Sequence, residues 1–206
     1  RSTTHRCRPN CAPTGGGARG DGRALSGRGG WVVVSRRGEG AALSWFQTSP
    51  EAWIGLIRDA IGPSAASIGG IGAGTSRLAD ALLDRGCPDL TIVDVSTTAL
   101  GVVERRVGED HRLTSILADV TDWRPQRTFD LWHDRAVLHF LTGTDLDAYR
   151  ACAAGAVHPG GHLIVGTFSP DGPEVCSGRS VTRYPDTDLF DLFADRLIPI
   201  PSSGQV

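Results

Sequence analysis

The chain has no lysine and no methionine: each of its 21 basic residues is arginine. That bias fits GC-rich coding rather than a selected arginine chemistry, and it removes the lysine that a Tyr/Lys-type hydride-transfer site requires. Aromatics are sparse at 6%, and the formal net charge is only −2, which excludes the basic excess of a dedicated nucleic-acid binder. The five cysteines (Cys7, Cys11, Cys87, Cys152, Cys176) form no CxxC pair, so neither a zinc site nor a disulfide framework is indicated, and a reducing, cytoplasmic setting is expected. There is no apolar run of about 18 residues to cross a bilayer. The apolar patch Trp31 to Val34 is also too short for a signal-peptide core. A soluble protein with no membrane partner is the expectation.

At 206 residues and 21.8 kDa there is room for one ordinary domain and its tails. Charge is unevenly spread. Residues 1 to 43 hold eight arginines against Asp21 and Glu39, whereas the remainder carries 13 arginines against 21 acids. The first 43 residues are Gly, Arg, Ser and Pro with almost no apolar periodicity, so they are read as a disordered tail that cannot bury enough surface to offset chain entropy. Glycine clusters such as Gly15 to Gly17 argue against an amphipathic transit peptide. The domain is expected over 44–206. With only eleven residues after Asp195, it is expected to be C-terminally incomplete.

Structure is predicted to begin at Ser49-Pro50-Glu51, with a Ser cap, Pro at the first helical position, and Trp53, Ile54, Ile57 and Ile61 at helical spacing. Short apolar segments bounded by turn signals read as strands: Ala66 to Ile71, Leu90 to Val95, Leu113 to Leu117, Phe129 to His133 and His162 to Phe168. Helices are predicted between them: Thr75 to Arg85, Thr97 to Val107 behind a Ser96 cap, and Thr144 to Val157 behind a Thr144/Asp147 capping box. Strands separated by such helices join by right-handed crossovers, which gives a doubly wound, mostly parallel α/β sheet with helices on both faces.

The first strand runs into Gly72-Ala73-Gly74-Thr75-Ser76, a turn whose missing side chains let a ligand approach the backbone. A dinucleotide fingerprint fails here, because the third glycine position falls on Thr75 or Arg77 depending on the starting glycine. Asp94 ends the second strand and can accept from both hydroxyls of a ribose, a feature that two classes of nucleotide cofactor share. The fourth strand delivers His133, Asp134, Arg135 and His139 to the carboxyl edge of the sheet, where such folds bind ligands. Local capping or pairing is the competing reading for Asp134 and Arg135. For His139, amid Val137, Leu138 and Phe140, a core histidine is favoured.

Taken together, "SIGGIGAGTSRLADALLDRG", "LTIVDVS", "LADVTDW", "FDLWHDRAVLHFL" and "HPGGHLIVGTFSPDGPEVCSG" resemble the successive motifs of class I S-adenosylmethionine (SAM)-dependent methyltransferases over residues 44 to 195. The resemblance implies a Rossmann-like domain with SAM as cofactor. Gly72, Ala73 and Gly74 would line its methionine arm, Asp94 would hold its ribose, Asp119 and Val120 its adenine, and His133 and Asp134 would border its sulfonium side; Gly70 and Val95 are further candidate cofactor-binding residues. Amides freed by the glycine bend would join Asp94 in cradling SAM. Asp134 and His133 are the expected bases for an amine or hydroxyl acceptor. The chain departs from the family at Gly70, where an acidic residue normally steadies the glycine loop. It also lacks length for the closing antiparallel hairpin, which is expected to be truncated. Ser44 to Gln47 resembles the entry to the family's N-terminal helix. No NPPY-like sequence or Pro-Cys nucleophile is present, so the expected acceptor is a small molecule or a protein side chain and not nucleic acid. Two other readings remain: an NAD-dependent oxidoreductase, and a SAM-binding relic without catalysis. Oligomeric state is not legible.

Overall fold

The computed structural model describes residues 50–62 and 66–200, together with the backbone of 30–36. The elements run β1 (Gly30–Arg36), α1 (Glu51–Ile61), β2 (Ser67–Ile71), α2 (Leu78–Asp84), β3 (Asp89–Asp94), α3 (Thr97–Val107) and β4 (Leu113–Leu117). Then follow β5 (Phe129–Arg135), a 3-10 turn (Leu138–Phe140), α4 (Gly143–Ala156), β6 (Val157–Phe168), β7 (Val175–Cys176), β8 (Arg179–Ser180), α5 (Asp186–Asp191) and β9 (Ile198–Ile200).

The main sheet has seven strands in the order β4-β3-β2-β5-β6-β1-β9, and every pairing in it is parallel. Its first five strands are the doubly wound arrangement predicted from the alternation of strand and helix. The order reverses between β2 and β5, so the carboxyl ends of these two strands frame the crevice in which such sheets hold ligands.

Period-two alternation assigns the strand residues to two cores. Leu131 joins Ile68, Ile92 and Ile164 on the face covered by α1, α2 and α3, with Trp53, Leu78, Leu82 and Val103. Trp132 joins Ile71, Val93, Leu163 and Val165 on the face covered by α4 and α5, with Tyr149, Ala153 and Leu189. Burial on both faces explains why these strands read as continuous apolar runs. At its amino end β2 is pinned to β5 by Asp130, whose carboxylate accepts from the Ser67 amide at 2.8 Å and its hydroxyl at 2.9 Å. Helix α1 docks through Trp53, which is fully buried against Gly166 of β6. A Cβ at Gly166 would lie 2.4 Å from the indole.

The helix and strand predictions hold with local exceptions. Ser96 caps α3 as expected, its Oγ accepting from the Ala99 amide at 3.2 Å. The capping box predicted for α4 does not form. The helix starts one residue earlier, at Gly143, behind Thr142, and no side chain caps it. Helix α2 starts at Leu78 and not Thr75, because Gly72 to Arg77 remain a loop. Ser49 and Ser44 to Gln47 lie outside the described residues.

The largest difference is β1. Residues 30–36 were assigned to the tail, yet they form a strand that pairs with β6 from Gly30↔His162 to Arg36↔Phe168. Three consecutive valines, Val32 to Val34, suit an extended backbone, and pairing to a ready-made edge supplies the hydrogen bonds that a reading of local composition does not register. The family's closing antiparallel hairpin, expected to be truncated here, has no counterpart among the described residues of this sheet. Its place is taken by β1 and β9, both parallel.

Candidate cofactor site

At the carboxyl end of β2 the backbone turns through Gly72 and Gly74, with φ of 61° and 54°. These are left-handed conformations that favour glycine. The turn is tied to β3. The Gly72 and Ala73 amides donate to the Val93 carbonyl at 2.9 and 3.4 Å, and the Gly74 amide donates to Asp94 Oδ2 at 2.7 Å. The other oxygen, Oδ1, accepts from the Ser96 amide at 2.8 Å. Asp94 and the glycine turn therefore meet, as the sequence predicted, but the amides are not free as expected: they face the end of β3. A carboxylate offers about four acceptor directions. Two are used here, which leaves Asp94 capacity toward solvent.

Behind the turn, Arg106 of α3 donates to the Thr75 and Ser76 carbonyls at 2.9 and 2.5 Å and grips both oxygens of Asp80 at 2.9 and 2.7 Å. One guanidinium thus fixes the loop to α2 and α3. Val137 closes the turn on the other side. Its Cγ2 lies 2.1 Å from where a Cβ at Gly72 would stand.

The exit of β5 places His133 and Asp134 on opposite faces of the sheet. Asp134 is fully buried, and its oxygens accept from the Val137 amide at 2.8 Å, the Leu138 amide at 3.0 Å and the Tyr149 hydroxyl at 2.6 Å. Burial raises its carboxyl to about 6, against these hydrogen bonds. The expectation that Asp134 acts as a base is corrected by this geometry. The group is enclosed and committed to holding the 137–138 backbone, which is the local-capping alternative. The bend it holds contains Ala136 at φ 77°, a strained conformation for a residue with a Cβ.

His133 is 4% exposed and meets Trp53 edge-on at a ring separation of 5.0 Å. Burial and then the Arg135 charge hold its imidazole down at about 3, so it too is poorly placed to take a proton. His139 is a core histidine, as favoured: it is 1% exposed and stacked on Phe168 at 5.1 Å.

After β4, Asp119 is exposed and its Oδ1 accepts from the Thr121 amide and hydroxyl at 2.9 and 2.7 Å, so it also forms a turn. Val120, expected over an adenine ring, is instead buried in the α4-side core. The apolar surface at this edge comes from Val95 and Leu117, which are 68% and 57% exposed. Leu117 is the register partner of Asp94. Periodicity hid Leu117, which reads as a strand residue. Arg106, Val137 and Tyr149 were also missed, because nothing local in the sequence ties them to a loop far along the chain. Among the described residues no three His, Cys, Asp or Glu side chains gather as a metal site would need.

Residues 69–161 match the family model described as a methyltransferase domain. Among curated proteins, Nodulation protein S of Rhizobium fredii is 32% identical over 84 residues, 39% of this chain and 47% of its own length. Nodulation protein S of Sinorhizobium fredii strain NBRC 101917 / NGR234 is 32% identical over a stretch that is 38% of its own length. The matched stretch is thus less than half of these curated relatives. Among solved structures, N-methyltransferase NodS from Bradyrhizobium japonicum WM9, in complex with S-adenosyl-L-homocysteine (SAH), superposes with a TM-score of 0.52 at 24% identity. The superposition covers 61% of this chain and 66% of that one. The glycopeptide N-methyltransferase MtfA, also complexed with SAH, gives a TM-score of 0.51 at 21% identity, over 58% and 53% of the two chains. The matched residues build the parallel sheet and the glycine turn, and over this segment the chain is similar to methyltransferase domains.

Proposed function

We propose that the chain is a SAM-dependent methyltransferase that binds its cofactor across the carboxyl ends of β2, β3 and β4. The observation that carries this reading is the meeting of Asp94 with the glycine turn at Gly74, at 2.7 Å. In this reading Asp94 uses its remaining acceptor directions for the ribose hydroxyls, and exposed Val95 and Leu117 cover the adenine while Asp119 accepts from its amino group. Gly72, Ala73 and Gly74 bring the turn at the carboxyl end of β2 against the methionine arm. When bound, SAM supplies a methyl group already activated on a sulfonium.

The chain's own part is alignment. Transfer is an in-line displacement, so fixing the distance and direction of attack contributes more than a strong base would. Asp134, Tyr149 and Arg106 hold the two loops that frame the crevice and act as positioning residues. Because Asp134 and His133 are enclosed, neither is assigned the acceptor's proton.

For the acceptor, the relatives named as N-methyltransferases make an amine the first class to test, on a small molecule or a protein side chain. A cytoplasmic location belongs to the same proposal and fits thiols that are free at Cys87, Cys152 and Cys176. Among the described residues no helix is long and apolar enough to cross a membrane.

Calorimetric titration tests the reading. Saturable binding of SAM and SAH with no uptake of NAD is expected. Uptake of NAD alone would move the chain to the oxidoreductases.

A further inference from the structure

Beneath the glycine turn, on the α1–α2 side of the sheet, lies a cavity of about 40 Å³ bordered by Gly70, Gly72, Ala73, Ser76, His133 and Arg135. Gly70 and His133 are register partners on adjacent parallel strands, so their side-chain positions lie on the same face of the sheet. A Cβ at Gly70 would meet only Ile92 Cγ2 at 3.7 Å and the Thr91 carbonyl at 3.8 Å, ordinary contacts. The strand therefore leaves room for a side chain it does not have. His133 Nε2, on a ring 4% exposed, has no hydrogen-bond partner among the described residues. Leaving such a buried group unsatisfied is unfavourable, so a partner of the right size is favoured.

Ser76 and Arg135 bring donors to this space, and His133 Nε2 becomes one when the imidazole takes up a proton. Ser76 Oγ accepts from the Leu78 amide at 3.2 Å, which leaves its hydroxyl proton to give. Arg135 brings a positive charge, and no acidic side chain borders the cavity among its described residues. A space of this volume takes about three water-sized groups, which is the size of formate.

We propose that this cavity binds a small carboxylate of formate size, which Gly70 leaves room for and His133 Nε2, the Ser76 hydroxyl and Arg135 receive. The anion sits below Gly72 and Ala73, so its occupancy stiffens the turn that the SAM reading assigns to the cofactor. That second step rests on the methyltransferase proposal; binding of the carboxylate itself does not. The imidazole's depressed protonation, caused by burial and then by Arg135, is what an anion alongside would relieve.

Titration of sodium formate into the cofactor-free chain, followed by histidine side-chain NMR with His133→Gln for assignment, tests the binding. A saturable shift of the His133 resonance is expected in the wild type. It is expected to vanish in Gly70→Asp, whose own carboxylate fills the space, and to weaken in Gly70→Ala, a milder change should the first variant fold poorly. Calorimetry tests the coupling. Formate should tighten SAH binding about tenfold, the worth of one hydrogen bond to a charged group, in the wild type and not in Gly70→Asp. No saturable shift of His133, or a shift that persists in both variants, overturns the site. Weaker SAH binding with formate also overturns it, because the cofactor's own carboxylate would then be the occupant. If formate shifts His133 while SAH binds under no condition, the site stands and the methyltransferase reading fails.

Discussion

Val137 occupies the space that a side chain at position 72 would need: its Cγ2 stands 2.1 Å from the Cβ position of Gly72. Gly72→Ala therefore faces both this clash and a positive φ of 61°. The expected result is a loss of about 2 to 4 kcal/mol in denaturant unfolding, together with loss of SAH binding. Gly72→Ala combined with Val137→Ala should recover a measurable part of both losses, because the pair is in contact and non-additive. Strictly additive losses would show that the two loops are not coupled here.

Tyr149 reaches the same loop through Asp134, donating at 2.6 Å, and itself receives the Trp132 indole N–H at 3.3 Å. Tyr149→Phe removes one hydrogen bond to a buried carboxyl and should cost about 1.5 to 3 kcal/mol of stability. The positioning role adds a second expectation: SAH affinity falls by more than the folded fraction accounts for. Unchanged SAH affinity in the folded variant would confine Tyr149 to stability.

The pH dependence of folding follows from three buried groups. Burial holds His133 at about 3 and His139 at about 4, while an unfolded imidazole titrates near 6.5. Their contribution is complete above pH ~6.5 and is lost as pH falls, because the unfolded chain takes up protons that the fold refuses. Asp134, raised to about 6 by burial, works the other way. Its contribution is present below the unfolded value near 3.9 and is lost as pH rises through about 6. Two histidines against one carboxyl leave one net proton, and His162, also lowered by burial, adds in the same direction, so stability should rise by at least ~1.4 kcal/mol per pH unit between about pH 4 and 6. His139→Phe should flatten this rise. It should also add about 1 kcal/mol at pH 7, because both ring nitrogens of His139 lack partners among the described residues. Urea unfolding at several pH values checks both points.

Arg106→Ala releases the Thr75 and Ser76 carbonyls and leaves Asp80 without its bidentate partner. A loss of about 2 kcal/mol and a tenfold or greater fall in SAH affinity are expected. Arg106→Lys should recover little of either, since a single ammonium cannot reproduce the fork.

Asp94→Asn keeps the shape but turns one of its two acceptors into a donor facing a backbone N–H, at Gly74 or at Ser96. SAH affinity should fall at least tenfold, with a smaller effect on stability. Intact affinity in that variant would remove the central support of the cofactor assignment.

The sequence carried most of the sheet because its signals are local. Leu113–Leu117 and Thr97–Val107 have the bounds that apolar pattern and the Ser96 cap imply. The meeting of Asp94 with the glycine turn was legible for a similar reason, since both lie at strand ends of adjacent β2 and β3. What could not be read was burial at single positions. Asp134 and Val120 both look like edge residues, yet α4 covers them, and that depends on packing between distant segments. Glycine at position 70 reads as a missing acid, and its counterpart, a cavity beside His133, exists only in three dimensions.

The pairing of β1 with β6 joins the front of the domain to its far side, Gly30 to His162. A parallel partner supplied across such a long stretch of chain gives high contact order, and such contacts form slowly because loop closure precedes the reward. During synthesis β1 emerges before β6 and waits for an edge that does not yet exist. Until β6 arrives, the run of valines in β1 is an adhesive strand without a mate, so refolding yield should fall with rising protein concentration.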